Sequence, residues 1–389
     1  MNNNDNKILY KKNFEPSSII ESKIYNQKSK RNNLYNIRKC FYFSIIFLLL
    51  IFITYKKKYF LYKHSILSAI SIKNNKINTY FINNLKDILK YDEILENEMM
   101  KKYTTFKIGG PAKILVKPKT IKQILEIIQL CNKFKVNYFI LGNGSNLLVS
   151  DKGYYGVVIQ ILENNFSNLE VIRIEKNNYI LKVGGGMLMK TLSIEACLLS
   201  LTGLEDVIDI PGTIGGGIIM NASFRGSGLR NALEKVKIIT PEGIIRELTN
   251  KECDFSYRRS LLKDKKYIII EAIFKLKKGD KMEIQQTMTY YTKIRYERQP
   301  MYFGSAGSFF VYMPGMHKRY IESNLLSYRV GNAMVCSYNI NFIVNLGNSS
   351  ANEVMCVATK VEKTIKKNYG IEMKKEVILL GSFNDTYYY

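Results

Sequence analysis

Residues 208–222 read IDIPGTIGGGIIMNA, a stretch in which glycines, one proline and small residues interrupt otherwise apolar sequence. Glycine lets the main chain approach a ligand closely and adopt positive φ, so such a segment can turn several backbone N–H groups toward one anion. The pattern therefore predicts a cradle for a pyrophosphate. A tight strand-to-helix junction without a ligand would give the same pattern, and this stretch alone leaves that alternative open.

Two more glycine-rich turns follow strand-like apolar runs upstream, LGNGSNLL at 141–148 and VGGGM at 183–187. Three such turns favour one extended phosphate-bearing ligand, and a dinucleotide is the natural candidate. The Rossmann fingerprint fits poorly, because Leu147 stands at a position where that motif needs glycine and no acidic ribose ligand follows at the expected distance. The lysine of a Walker motif is missing as well.

Further motifs accompany these turns along the chain. In order, they are TTFKIGGPA (104–112), LGNGSN (141–146), GLE (203–205) leading into IPGTIGG (210–216), SYRRS (256–260), GSAGSFF (304–310) and GIEMKKEV (370–377). Together they resemble the UDP-N-acetylenolpyruvoylglucosamine reductases, a family of MurB-type flavoproteins. The resemblance runs from about residue 96 to about residue 382, and its ordered motifs are far more specific than one glycine loop.

The resemblance implies an α+β fold with non-covalently bound FAD. A two-part FAD-binding region of the vanillyl-alcohol-oxidase/PCMH type is expected, with 96–163 plus 370–389 as its first part and 164–298 as its second. Residues 299–369 would form a smaller α+β substrate-binding domain. By family position, the residues expected to bind the cofactor are Gly142, Asn143, Gly144, Ser145, Asn146, Gly212, Thr213, Ile214 and Gly215.

The chemistry of an enolpyruvyl ether sets the requirements for catalysis. Its double bond is conjugated to a carboxylate, so a hydride can add to the β-carbon only if the negative charge growing on the carboxylate is stabilised. By resemblance, Arg258 and Glu376 perform this task, with Glu376 either protonated or acting through Arg258. Ser308 matches the general acid that supplies the proton.

Substrate contacts are expected from three further side chains. Tyr257 lies beside the candidate arginine in sequence and is expected to orient it, while Arg295 and Arg298 are expected to reach the substrate. Every candidate also has a purely structural interpretation. Arg258 could be one more surface cation, Ser308 a turn hydroxyl and Glu376 part of a charged surface run; their joint occurrence within the matched motifs favours function.

The substrate half departs from the family pattern. After Gly-Ser-Phe-Phe the family usually has Lys and then Asn or Arg, but here Val311 and Tyr312 follow, and Met334 replaces a glutamine. Loss of a charge-assisted phosphate contact weakens binding by about 1.5–3 kcal/mol. The resemblance as a whole implies an NADPH-oxidising FAD reductase that converts UDP-N-acetylglucosamine enolpyruvate to UDP-N-acetylmuramate. A MurB-like enzyme with a different acceptor, and a flavin-binding organelle factor with lapsed catalysis, stay open.

Composition narrows the other possibilities. The 389 residues carry a formal net charge of +25, but lysines are spread along the whole chain without any nucleic-acid-binding motif, so no nucleic-acid partner is expected. We expect a monomer that acts on a small molecule. The six cysteines are too scattered for a metal site or a disulfide framework, so we expect reduced thiols. His64 and His317 are the only histidines, which argues against a metal centre or a Ser-His triad.

Residues 1–95 are expected to form a leader that is not part of the fold. Residues 1–40 are polar and basic, 41–55 are almost wholly apolar, and 56–95 are again basic and poor in acids. The apolar run is short for a spanning helix and suits a signal peptide, and the basic stretch after it suits onward transport to a secondary plastid. Membrane anchoring by 41–55 is the alternative, and a buried core helix is the structural interpretation.

Hydrophobic periodicity places the remaining motifs on an α+β framework. A helix over 120–135 lies between strand-like runs at 113–116 and 138–141, which predicts a β-α-β unit. A second helix is predicted over 190–200 and a late amphipathic helix over 351–369. Strands are predicted at 236–240, 244–248 and 267–276.

Overall fold

The computed structural model describes residues 77–162 and 166–383, in which helices and strands are mixed along the chain. The helices are α1 (Thr79–Ile88), α2 (Ile121–Phe134), α3 (Met189–Leu198), α4 (Ile214–Ile219), α5 (Leu261–Asp264), α6 (Lys281–Arg298), α7 (Met316–Glu322) and α8 (Ala351–Tyr369). The strands are β1 (Ile94–Met99), β2 (Pro111–Val116), β3 (Tyr138–Leu141), β4 (Leu147–Val149), β5 (Tyr154–Gln160), β6 (Leu169–Glu175), β7 (Asn178–Gly184), β8 (Leu201–Thr202), β9 (Ser223–Phe224), β10 (Ser227–Gly228), β11 (Leu233–Ile239), β12 (Ile245–Thr249), β13 (Ile268–Lys278), β14 (Arg329–Val330), β15 (Ala333–Val335), β16 (Ile343–Asn345) and β17 (Ile378–Leu380).

The first sheet has the order β1-β2-β5-β3. Strands β2 and β3 both pair in parallel with β5, and β1 is antiparallel to β2. Helix α2 connects β2 to β3, which confirms the predicted β-α-β unit, although the later strand β5 is inserted between them. Parallel strands need such a crossover because a tight turn cannot join them.

Local sequence explains where α2 begins and ends. The Thr120 hydroxyl accepts a hydrogen bond from the Gln123 amide at 3.2 Å, and the Gln123 side chain accepts one from the Thr120 amide at 3.1 Å. This reciprocal capping box satisfies amide groups that the first helical turn leaves free. At the other end Lys135 has φ 54° in the left-handed region and stops the helix. The predicted span of 120–135 thus includes the helix with its two caps.

Part of the segment predicted as a leader packs into this first unit. Phe81 and Leu85 of α1 are fully buried in the same core as Ile124 and Ile128 of α2. The spacing of four residues puts both α1 side chains on one helix face, so residues 77–95 belong to the fold, which differs from the prediction. The run at 41–55 lies outside the described residues. Within the described ranges, no helix has both the length and the apolar character needed to cross a membrane.

The second sheet is antiparallel, with the order β12-β11-β13-β7-β6 and β8 beside β13. Strands β11, β12 and β13 correspond to the three strands predicted between residues 236 and 276, and α3 corresponds to the helix predicted over 190–200. A core shared by this sheet, α3, α4 and α5 includes Leu192, Ile214 and Leu262, which are fully buried. This sheet therefore carries the glycine-rich turn 210–216 and the SYRRS segment together on its helical side.

A small third sheet, β14-β15-β16, packs with α8. Helix α8 spans the predicted residues 351–369, and its buried face contains Val354, Val357 and Val361. Gly370, with φ 69°, ends the helix in the left-handed region, where glycine carries little strain. The chain then returns to the first unit, where β17 pairs in parallel with β4.

Three hydrogen bonds connect the GSAGSFF loop to neighbouring segments. The Thr105 hydroxyl donates to the Ser305 carbonyl at 2.7 Å, and the Asn345 backbone amide donates to the Gly304 carbonyl at 2.8 Å. The Glu376 amide donates to the Phe309 carbonyl at 2.9 Å. The loop is therefore held between the TTFK segment and the chain that precedes β17.

We expect Asn341→Ala to lower the free energy of unfolding by about 2–3 kcal/mol. The buried Asn341 side chain accepts from the Phe310 amide at 3.0 Å and donates to the Phe310 carbonyl at 2.7 Å, and alanine would leave both buried groups unpaired. Denaturant unfolding would measure the change. Asn352→Ala, on the exposed first turn of α8, is the control and should change stability by less than about 0.5 kcal/mol.

Candidate active site

A cleft of ≈ 1390 Å³ runs between the motifs that the sequence singles out. Its walls come from the β3–β4 turn, from the turn before α4, and from the GSAGSFF loop. The candidate catalytic side chains Arg258, Ser308 and Glu376 all line it. Residues that lie 50 to more than 100 positions apart in sequence are therefore brought to one cavity.

The β3–β4 turn presents backbone donors to the cleft. Gly144 has φ 62°, and a Cβ atom there would lie 2.1 Å from the Tyr103 carbonyl oxygen, so only glycine fits. Among the described residues, the amides of Asn143, Gly144, Ser145 and Asn146 have no hydrogen-bond acceptor. Such amides lining a cleft suit an anionic group.

The turn before α4 supplies the facing wall. Thr213 is buried, and its hydroxyl accepts from the Gly216 amide at 3.2 Å, which caps the helix. A Cβ on Gly142 would lie 2.5 Å from the Thr213 hydroxyl, so the two glycine turns touch. Gly212 and Thr213 line the cleft together with Gly216, and the two turns form one continuous surface.

Two of the predicted cofactor residues do not reach this surface. Ile214 is fully buried in the core, and the Gly215 amide donates to the Gly185 carbonyl at 2.8 Å. The third glycine run, 183–187, does not line the cleft either. A Cβ on Gly184 would lie 2.1 Å from the Phe166 carbonyl oxygen, so glycine serves close backbone packing there rather than ligand binding.

Arg258 and Glu376 form an ion pair inside the cleft. Arg258 Nε lies 2.9 Å from Glu376 Oε1, but the N–H does not point at that oxygen, so the contact is electrostatic rather than a hydrogen bond. Burial raises the pKa of Glu376, while the positive charges of Arg258 and Lys263 oppose that rise. The carboxyl group therefore keeps its proton to a higher pH than an exposed glutamate does.

Ser308 lies at the end of the loop that follows α6 and is half-buried. Gly307 before it has φ 74°, and Phe309 after it is buried in the core that also contains the apolar face of α8. Within the described ranges the Ser308 hydroxyl makes no hydrogen bond, although it lines the same cleft as Arg258. The hydroxyl is thus free to meet a bound ligand.

The three residues predicted to contact substrate have different surroundings. Arg295 lines the cleft and is buried, with its guanidinium 4.4 Å from the Phe224 ring centre. Tyr257 is 58% exposed and lies outside the cleft lining, but its ring is 5.5 Å from the Arg258 guanidinium carbon. Arg298 is exposed on the last turn of α6 and does not line the cleft.

The residues at the family departures also lie away from the cleft lining. Val311, Tyr312 and Met334 are absent from it, and Tyr312 is 55% exposed. Their replacement therefore leaves the walls formed by Arg258, Ser308 and the glycine turns unchanged.

The cleft lining includes polar residues that sequence reasoning missed, and two of them, Lys263 and Ser223, lie beside the candidate catalytic pair. Lys263 is half-buried, and burial lowers its pKa while the Glu376 carboxylate opposes that shift. Ser223 contacts Arg258. Lys263 lies three positions after the end of the SYRRS motif, so a longer motif would have included it. The sequence around Ser223 contains no comparable signal.

Comparisons with known proteins agree with this geometry. A sequence model described as an FAD binding domain matches residues 112–249, and one described as the UDP-N-acetylenolpyruvoylglucosamine reductase C-terminal domain matches residues 299–380. The UDP-N-acetylenolpyruvoylglucosamine reductase of Caldanaerobacter subterraneus is 36% identical over 302 residues, covering 77% of this chain and 98% of that protein. The chain belongs to the UDP-N-acetylenolpyruvoylglucosamine reductase family.

Another relative and a solved structure extend the match. The reductase of Bacillus pumilus is 38% identical over 307 residues, covering 77% of this chain and 99% of that protein. The crystal structure of the Thermus caldophilus enzyme has a TM-score of 0.62 at 31% identity, covering 74% of this chain and 98% of that one. The predicted α+β fold with a PCMH-type FAD-binding region is confirmed, and the chain is an FAD-dependent oxidoreductase.

The residues present fit the cofactor that this family uses. The acceptor-free amides of 143–146, in a turn that lines the cleft, are what a pyrophosphate requires. The cleft also continues past these turns to the Arg258–Glu376 pair, so a ligand held by its phosphates extends toward the candidate catalytic groups.

The predicted localisation is corrected by the comparisons. The relatives come from bacteria such as Caldanaerobacter subterraneus, Alkaliphilus metalliredigens and Bacillus pumilus, whose cells contain no plastid. The predicted secretory route onward to a secondary plastid is therefore wrong. Residues 41–55, on which the alternative of anchoring rests, lie outside the described residues. An apolar run next to lysines was overinterpreted, because hydropathy alone does not identify a destination.

We expect Gly144→Ala to reduce the affinity for FAD by at least about tenfold. A methyl group would collide with the Tyr103 carbonyl and displace the turn that carries the free amides. Flavin absorbance per protein after gel filtration would measure the loss.

Gly370→Ala is the matched control, because Gly370 has a similar φ of 69° but no atom lies within 4 Å of the position that an alanine methyl group would take there. Both variants carry a left-handed backbone penalty of about 1–2 kcal/mol, so only the collision distinguishes them. Equal flavin content in the two variants would contradict a cofactor role for the turn.

Proposed function

We propose that the chain reduces the enolpyruvyl double bond of UDP-N-acetylglucosamine enolpyruvate with electrons from NADPH. The observation that carries this proposal is the placement of the Arg258–Glu376 pair, with its 2.9 Å contact, in one cleft with Ser308 and the free amides of the β3–β4 turn. The relatives bear the name of a reductase of this UDP-sugar, which supports the same substrate.

The glycine turns would hold the cofactor by its phosphates. The amides of 143–146 would donate to the pyrophosphate, with Gly212 and Thr213 closing the opposite wall. When bound, FAD supplies the chemistry that no side chain has, the passage of a hydride from NADPH to the β-carbon of the acceptor. NADPH and the acceptor would occupy the cleft in turn.

Arg258 and Glu376 would stabilise the charge that develops during this transfer. As the β-carbon gains the hydride, negative charge grows on the α-carbon and its carboxylate. The Arg258 guanidinium can donate to that carboxylate. Burial raises the pKa of Glu376, and when this side chain holds a proton its carboxyl group can donate as well without repelling the substrate. Ser308 would then give its hydroxyl proton to the α-carbon, which completes the addition of one hydride and one proton.

Two cations would assist at the edge of this site. Lys263, half-buried beside Glu376, balances the negative charge brought by an anionic acceptor. Arg295 has a buried Nε without a hydrogen-bond partner among the described residues. This N–H can therefore donate to an oxygen atom of the substrate. Arg298 is assigned no contact here, because its side chain is exposed away from the cleft.

The test is an anaerobic spectrum of the purified full chain. We expect a flavin spectrum that bleaches with NADPH and recovers with UDP-N-acetylglucosamine enolpyruvate. Bleaching without recovery would overturn the substrate and keep the reductase, with a different acceptor. Bound flavin that never bleaches would overturn the reductase and favour lapsed catalysis.

Ser308→Ala should slow the recovery step by about 10²-fold or more, because the proton donor is removed. NADPH-dependent bleaching should stay at the wild-type rate, since that step needs no proton from Ser308. Stopped-flow absorbance would measure the two steps separately. Ser337→Ala, an exposed serine outside the cleft lining, should leave both steps unchanged.

The recovery step should slow as the pH rises through the pKa of Glu376. Burial raises that pKa above its ordinary value, so the neutral carboxyl is fully present at low pH and is lost as the pH passes the raised pKa. Glu376→Gln, which is neutral at every pH, should show no such decline. Glu372→Gln, at an exposed position paired with Lys366, should keep the wild-type profile. A decline that persists unchanged in Glu376→Gln would assign it to another group.

A further inference from the structure

A short hairpin follows the glycine-rich turn before α4 and faces the cleft. Its strands β9 and β10 pair antiparallel, and Arg225 and Gly226 form the turn with φ 55° and 90°. The first two residues, Ser223 and Phe224, line the cleft. The hairpin therefore forms part of the wall beside the candidate catalytic arginine.

Ser223 makes two contacts with that arginine. One terminal nitrogen of Arg258 donates to the Ser223 hydroxyl at 3.2 Å and approaches the Ser223 carbonyl oxygen at 3.4 Å. On its other side, Nε of Arg258 lies 2.9 Å from the Glu376 carboxylate. The guanidinium is thus held between an uncharged acceptor on the hairpin and a carboxyl group on the segment before β17.

The hairpin also contacts the backbone turn that carries Arg258. Arg258 has φ 56°, a left-handed conformation that is uncommon for a side chain of this size, in a tight turn in which Ser256 and Arg259 exchange backbone hydrogen bonds. The Asn221 side chain donates to the Ser256 carbonyl at 2.7 Å, which attaches that turn to the start of the hairpin. The hairpin thus contacts both the backbone turn and the guanidinium that it carries.

We propose that Ser223 is a positioning residue for Arg258. Its hydroxyl takes one of the five N–H donors of the guanidinium and fixes the plane of the group, so that the remaining donors face the acceptor carboxylate. Ser223 acts through Arg258 and does not itself touch the reacting atoms. The inference rests on the proposed function, because it concerns the charge that Arg258 stabilises during acceptor reduction.

The electrostatics favour an uncharged partner at this position. A carboxylate at 223 would add a second negative charge to that of Glu376, weaken the attraction of Arg258 for the acceptor and repel the substrate anion. A hydroxyl orients the guanidinium without removing its charge. The Arg258 and Glu376 side chains are 21% and 12% exposed. Water therefore competes weakly for the hydrogen bonds that orient the guanidinium.

The experiment compares three variants of the full chain, Ser223→Ala, Ser223→Thr and Ser337→Ala, in stopped-flow absorbance with NADPH and then with UDP-N-acetylglucosamine enolpyruvate. Ser223→Ala should slow flavin recovery about tenfold, because one hydrogen bond to a charged group is lost while the carbonyl contact remains. NADPH-dependent bleaching should stay within about twofold of wild type. Ser223→Thr, which keeps the hydroxyl, should restore recovery to within about threefold.

Ser337→Ala is the control, since it removes an exposed hydroxyl that lies outside the cleft lining. It should behave as wild type in both steps. Two results would overturn the positioning role and leave the proposed function in place. One is flavin recovery in Ser223→Ala within about twofold of wild type, and the other is equal slowing of bleaching and recovery in that variant. If the flavin of the wild-type chain does not recover with this acceptor, the proposed function and the inference both fail. If it recovers normally, the proposed function stands and the variants test the inference alone.

Discussion

The site depends on the return of the chain after α8. In that return, β17 pairs with β4, the Glu376 amide donates to the Phe309 carbonyl at 2.9 Å, and the Asn146 side chain donates to the Glu376 carbonyl at 3.2 Å. These bonds connect the β3–β4 turn, the GSAGSFF loop and the Glu376 carboxyl group through one extended segment. Main-chain hydrogen bonds are short and directional, so the three groups cannot shift independently.

The glycines divide into two classes that look alike in sequence. Gly144 takes a left-handed conformation at a surface whose amides have no acceptor in the described part of the chain, which suits an anion. Gly184 and Gly185 are buried and leave room for neighbouring carbonyl groups. Both classes need the missing side chain, since a Cβ at Gly144 would lie 2.1 Å from the Tyr103 carbonyl oxygen. Hydrogen bonding distinguishes them, because the Gly184 and Gly185 amides donate to the Asn168 and Ile270 carbonyls, while the amides of 143–146 have no acceptor among the described residues. These partners are a property of the folded chain.

Charge in the cleft is arranged around one carboxyl group. Glu376 is flanked by Arg258 and Lys263, and burial raises its pKa against both cations. Burial of the whole cluster strengthens each of these interactions relative to the same groups in water. A site of this kind can accept an anionic substrate because its net charge is positive. It can also keep a proton on Glu376 where an exposed glutamate would lose it.

The sequence by itself determined the α+β framework, the β-α-β unit, the span of α8 and the candidate residues Arg258, Ser308 and Glu376, since periodicity and ordered motifs are local properties. It did not separate the glycines that face the cleft from those that pack, and it placed Ile214, Gly215 and Arg298 at a site they do not line. It also assigned the packed helix α1 to a leader. Tertiary structure alone decided that Ser223 and Lys263 join the cleft, because contacts between residues 35 or more positions apart depend on how the sheets meet and leave no periodic trace in the chain.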